Sequence, residues 1–195
     1  MSLNDAVVAM VRSVQELPYR WPSAPTAESA RSEGSGSCAS KHALLAQQLI
    51  AMGVPSRPLL CIGPLVPSAL ADRFDLGQGA DLLEVHELLT VDVPRVGPCR
   101  VDVTWDPPLI RGGLPGTLDW RGDSDMTPAV GLVHDWYAPD PGHLRLAKES
   151  LRRRLYQGDQ RARRDRTLAA MSSAFAALRD EGSPSSPSRA PKGAT

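Results

Sequence analysis

Three residue types that cooperate in covalent catalysis stand in a usable order in this chain: Cys38, His86 and Asp102. Cys38 follows a small-residue turn, Ser35-Gly36-Ser37, and opens a stretch in which Cys38, Leu45, Leu49 and Met52 fall on one helical stripe, with Gly53 as a stop. A thiol where a loop enters a helix faces unpaired backbone N–H groups and the positive end of the helix dipole, so its anion is favoured. Lowering its pKa by about two units from about 8.5 raises the thiolate fraction at pH 7 from about 3% to about three quarters. Taken alone, the same position suits a small buried residue. His86 and Asp102 sharpen the reading, because they lie sixteen residues apart on the two arms of an expected hairpin. An even separation across an unbulged antiparallel pair puts both side chains on one face. A three-residue turn at Val93 to Arg95 sets them directly opposite, within reach of an imidazole–carboxylate hydrogen bond that fixes the ring tautomer. A Cys-bearing helix laid on that face completes nucleophile, base and orienter. The plainer reading leaves His86 and Asp102 as ordinary residues on the polar side of a half-exposed hairpin.

Other residues compete for roles. His42, four residues after Cys38 and on the same helical face, is either a rival base or a packing and support residue, with support favoured. Asp106 shares the parity of Asp102 but precedes Pro107-Pro108, where the chain is leaving the strand; Asp102 sits between Val101 and Val103, which hold its direction. Trp21, Trp105 and Trp120 could line a cleft or donate an indole N–H to an oxyanion, with Trp21 and Trp105 taken as support residues; the backbone N–H of Cys38 is the safer donor. Cys38, His42, His86 and Cys99 show no paired zinc-ligand spacing, so no metal is expected. The tripeptide Arg121-Gly122-Asp123 is taken as chance.

The elements that must carry these residues read as follows. Leu3 to Glu16 has helical spacing with Asn4 or Asp5 as cap, and Tyr19 to Gly36 reads as a surface loop. Arg57 to Gly63 is a short strand, and Pro64 to Ala80 is connecting chain with room for a helical turn. From Leu83 to Val93 the residues alternate, with Val85, Leu89, Val91 and Val93 against His86, Leu88, Thr90 and Asp92. Pro94 to Pro98 is a turn, and Arg100 to Trp105 alternates again, which together signal a hairpin. Pro107 to Pro128 reads as a long loop, Ala129 to His134 as a further strand, and Leu144 to about Arg179 as helix broken near Gly158. Between Lys148 and Arg166 eight basic residues face Glu149, Asp159 and Asp165, an excess of five. That helix is a solvated face or a dock for an acidic partner or a nucleic-acid backbone.

At 195 residues with 42% apolar composition the chain fits one domain over 1–180, its residues 148–180 forming a basic C-terminal helical segment, and a Ser/Pro-rich disordered tail over 181–195. Twenty-two basic and twenty-two acidic residues cancel, which argues against nucleic acid as a partner. No apolar run reaches the roughly 18 residues of a membrane helix, and the start lacks the pattern of a signal peptide. Three cysteines cannot all pair within one chain, so reduced thiols in a cytoplasm are expected.

The segment GSGSCASKHALLAQQLIAMGVPSRPL resembles the nucleophile segment of the transglutaminase-like superfamily of papain-type cysteine enzymes: a glycine-led turn, Cys opening a Leu-rich helix, then Gly53 and Arg57. EVHELLTVDV resembles the family's histidine strand and VDVT its Asp-x-Thr strand, and the blocks follow in family order from Gly34 to Thr104. Leu88 stands where an aromatic residue is common, and Val103 where proline is frequent. The resemblance implies an α+β, papain-like fold of transglutaminase type, its Cys-bearing helix packed on an antiparallel sheet. It implies Cys38 as nucleophile, His86 as base and Asp102 as orienter. The expected activity is that of a thiol hydrolase or acyltransferase: acyl transfer or hydrolysis at an amide bond through a thioester on Cys38, as in a cysteine peptidase, amidase or transglutaminase. A peptide, protein or small amide is the expected substrate, without a cofactor. The alternative is a transglutaminase-like scaffold whose chemistry is secondary and which binds through its basic C-terminal helix.

Overall fold

The structure, a computed structural model, describes residues 1–76, 79 and 81–181. Of the tail expected from residue 181, only Glu181 lies among the described residues, and it ends the last helix. The first helix, α1 (Leu3–Gln15), is capped by Ser2 rather than by Asn4 or Asp5; Asp5 closes the capping box by accepting from the Ser2 backbone N–H. The expected loop from Tyr19 to Gly36 contains a helix, α2 (Ala27–Glu33). Its start is set locally by Thr26, whose side chain accepts from Ser29 N–H, and its end by Gly34 in the left-handed conformation. The Cys-bearing helix is α3 (Cys38–Ala51), with Ser37 as N-cap.

Strand β1 (Ser56–Pro64) is followed by the short α4 (Ser68–Ala71), within the connecting stretch, and by β2 (Leu83–Val93), which runs over the residues that alternate. The next strand, β3 (Gly97–Val101), starts earlier and stops earlier than the Arg100–Trp105 alternation predicts. The expected loop after it opens with a helical turn, α5 (Pro107–Arg111), whose two prolines occupy first-turn positions that need no N–H donor. The strand expected at Ala129–His134 is displaced to β4 (Asp135–Tyr137). A 3₁₀ turn (Pro141–His143) leads into α6 (Leu144–Leu155), and α7 (Gln160–Glu181) follows a break at Gly158, where φ is 57°.

The class is α+β, with a four-stranded antiparallel sheet in the order β3-β2-β1-β4. Helices α1 and α3 share one apolar cluster with β2 and β3: Val7, Val11 and Val14 meet Leu45 and Leu49 over Leu89, Val91 and Val101. Fully burying a leucine such as Leu45 or Leu49 is worth about 1.5–3 kcal/mol, so this cluster fixes α3 on the sheet. A second cluster joins α4, α5 and α7 through Leu70, Leu109, Met171, Phe175 and Leu178, with Tyr19 and Trp105 stacked edge-on at 4.6 Å. A third seats Leu151 of α6 on Leu60, Ile62 and Val85. Among the described residues no helix is long and apolar enough to cross a membrane.

Candidate active site

The hairpin register differs from the expected one. Val93 pairs with Gly97 across a turn of Pro94, Arg95 and Val96, with Arg95 in the left-handed region at φ 67°. The ladder ends at Leu89 with Val101, so Asp102 lies just beyond the sheet and diagonal to His86 rather than opposite it. The two side chains still meet, with His86 Nε2 2.7 Å from Asp102 Oδ2. Strand geometry does not aim the carboxylate; backbone donors do. Thr104 N–H donates to Oδ1 at 3.0 Å and Ala129 N–H to Oδ2 at 2.8 Å. Burial opposes ionisation of Asp102, but the His86 charge and these hydrogen bonds outweigh it and hold the carboxyl well below the usual range. Asp106 is engaged elsewhere: it accepts from Tyr19 N–H at 2.7 Å and pairs with Arg179 at 2.7 Å.

Cys38 is half-buried at the first position of α3, whose first turn carries no acidic residue. The turn before it is tight, since a Cβ at Gly36 would collide with Ser40 Oγ, and Gly36 is bridged on both sides to the chain at Pro18 and Arg20. Burial works against the thiolate. The Lys148 ammonium and the His86 ring, which lines the same cavity, prevail over it and lower the thiol pKa below its ordinary value. Burial also disfavours the His86 cation, yet Asp102 and Cys38 raise the ring well above the usual imidazole value. Both shifts favour the same pair, thiolate with imidazolium. The other cysteines differ: Cys61 and Cys99 are buried, and burial pushes the Cys61 thiol up to about 11.

His42 does not touch the sulfur as a rival base. Val103 N–H donates to its Nε2 at 3.1 Å, so Nδ1 carries the proton and donates to the Cys38 carbonyl at 2.7 Å. Burial is the main cause that pushes its pKa down to about 4, which keeps the ring neutral. His42 thereby ties the nucleophile turn to the loop that carries Asp102. Lys41 makes a parallel tie: fully buried, it donates from Nζ to the carbonyls of Gln15, Leu17 and Thr104 at 3.1, 2.7 and 3.0 Å.

Cys38, His86 and Thr104 line a cavity of about 760 Å³, together with Trp21 and Trp105. The Trp105 indole N–H donates to the Ala129 carbonyl at 2.9 Å, which removes it as an oxyanion donor. Trp120 donates to the Ser124 carbonyl within the first apolar cluster, away from the cavity. Two charged residues at the thiol were not singled out in the sequence. Lys148 Nζ lies 3.9 Å from Cys38 Sγ and 3.0 Å from Glu87 Oε2. Their signal is faint but present: Lys148 falls in line with Leu144, Leu151 and Leu155 on the packed stripe of α6, an odd place for a lysine. The basic helices are not simply a solvated face either. Arg152 and Arg164 both turn inward to Glu84, and Arg163 pairs with Asp81.

Comparison with protein-family models, with curated proteins and with solved structures gave no match to this chain.

Proposed function

We propose that the protein is a cysteine-dependent acyl-transfer enzyme of papain-like, transglutaminase type, acting in a reducing cytoplasm on an amide substrate. The observation that carries this reading is the 2.7 Å hydrogen bond from His86 to Asp102 beside a thiol whose surroundings favour its anion. The Cys38 thiolate attacks the amide carbonyl carbon, a C–S bond forms, and the oxygen takes the negative charge. The helix-start N–H of Cys38 and the Lys148 ammonium are the positive groups at hand to stabilise it. His86 gives its proton to the leaving nitrogen as the C–N bond breaks, Asp102 holding the ring throughout. Water or an amine then gives up a proton to His86 and attacks the thioester, which releases acid or new amide and restores the thiol. No step calls for a cofactor.

The alternative, binding through the basic C-terminal helix, is the weaker reading, because Arg152, Arg163 and Arg164 turn inward to Glu84 and Asp81 and present little surface to an acidic macromolecule. Intact-mass spectra after exposure to electrophilic amide-mimic probes test the proposal. Single-site labelling at Cys38 that is lost in His86→Ala is the expected result. Equal labelling of all three cysteines, or none with salt-sensitive capture of an acidic partner, overturns it.

A further inference from the structure

We propose that the substrate of this cavity carries an anionic group, a carboxylate or phosphate, at the end remote from the scissile carbonyl, held by arginines of α6 and α7. The inference rests on the acyl-transfer reading and adds the substrate class. Its basis is an imbalance of charge along the cavity wall. Lys148 is matched by Glu87. Arg161 is matched by Glu149. Glu84 is the single carboxylate on the wall shared by two guanidiniums, those of Arg152 and Arg164, the latter also pairing with Asp165 outside the cavity. Arg145, exposed on the same wall, has no acceptor among the described residues. The thiolate and imidazolium cancel each other, so they do not consume the surplus.

The two guanidiniums at Glu84 are not surface charges, their side chains being 26% and 13% exposed. Each reaches Glu84 through its Nε edge, and Arg152 Nη1 and Arg164 Nη2 have no carboxylate partner among the described residues. A neutral substrate filling the cavity would strip water from these donors and give nothing back, which is costly. A carboxylate or phosphate meets them with charge-assisted bonds of the fork geometry that guanidinium favours. Trp21, Leu168 and Met171 give the same cavity an apolar stretch of wall. A cavity of about 760 Å³ falls in the roughly 300–1,000 Å³ range of small-molecule sites. The geometry therefore fits a small amide with an apolar body and a terminal anion.

Calorimetric titration of the full chain with glutarate, with inorganic phosphate and with neutral glutaramide tests this. Glutarate or phosphate should bind about tenfold or more tightly than glutaramide, as charge-assisted bonds to guanidinium require. The tighter of the two anions names the group. Arg145→Glu, on an exposed position that does not support the fold, should weaken the anion at least severalfold, and Arg12→Gln on the distant α1 should not. Equal binding of glutarate, phosphate and glutaramide, or none by any, overturns the inference while Cys38 labelling continues to judge the acyl-transfer reading. Selective anion binding beside an inert Cys38 does the reverse: the anion site stands, and the acyl-transfer reading and the substrate role built on it fall.

Discussion

Around Cys38, burial opposes the thiolate and two cations of different kinds favour it, the Lys148 ammonium at 3.9 Å and the His86 ring. They can be separated by experiment, because only His86 can also move a proton. Lys148→Met removes charge without removing the base, so Cys38 alkylation by iodoacetamide should slow by about tenfold or more at pH 6.5 and little at pH 9, where the thiol ionises unaided. Making the change in a Glu87→Gln background and comparing it with that single variant avoids leaving a buried carboxylate alone and cancels the opposite effect of Glu87 on the thiol. An unchanged rate-versus-pH profile would remove Lys148 from the account. Asp102 and Asp106 form a second contrast. Asp102→Asn should slow alkylation by on the order of a hundredfold or more, because the amide no longer stabilises the imidazolium. Asp106→Asn should leave the rate nearly unchanged but lower the melting temperature, since Arg179 and Tyr19 N–H lose a charged acceptor. Peptide-mapped alkylation rates beside thermal melts read both effects, and a reversed pattern would require the triad to be rebuilt around Asp106.

At the scale of elements, α3 is both the carrier of Cys38 and the hub of the ties that aim its partners. Lys41 links it to the end of α1 and to the chain just after Asp102 through three carbonyls. Lys41→Met fits the space but orphans these buried acceptors, so it should cost about 3 kcal/mol in urea unfolding. An unchanged midpoint would mean the three carbonyls find other donors. Elements of this sort were legible in the sequence where the pattern is long. The stripe of Leu45 and Leu49 fixes α3, and eleven alternating residues fix β2. Short elements were not: α2 depends on one Thr26–Ser29 bond, and α5 on prolines that look like breakers until they fall in a first turn. The proximity of His86 and Asp102 followed from parity, but the register did not, because the left-handed Arg95 sets the turn one residue later than expected. Glu87 and Lys148 were hidden for a different reason. Their meeting depends on how α6 seats on β2, which no local pattern encodes.

Over the whole molecule, two histidines on either side of Asp102 respond to pH with opposite signs. His42 is neutral in the folded protein, its pKa pushed down to about 4 chiefly by burial, against 6.5 when free. As pH falls below 6.5 the unfolded chain takes up this proton and the folded one does not, so stability present above 6.5 is lost between 6.5 and 4. The full loss amounts to about 3 kcal/mol. His86, raised by Asp102 and Cys38, acts in reverse: its contribution is complete below 6.5 and disappears as pH rises through its elevated folded value. Asp102 adds stability above 3.8 and gives it up only in stronger acid, so it does not shape the interval between 6.5 and 4.5. Lys41, pushed down to about 7 mainly by burial, is almost fully protonated in both states below about pH 6 and adds little slope there. The Cys38 thiol, lowered by Lys148 and His86, also gives up stability as pH falls through its folded value, so in a Cys38→Ala background the acid-side loss should trace to His42. The urea midpoint of Cys38→Ala should fall from pH 6 to pH 4.5, and adding His42→Gln, with a side chain that does not titrate, should make it start lower and fall less steeply. A line parallel to that of Cys38→Ala would show that another group takes up the proton, and that His42 is not the neutral link between the nucleophile turn and the Asp102 loop.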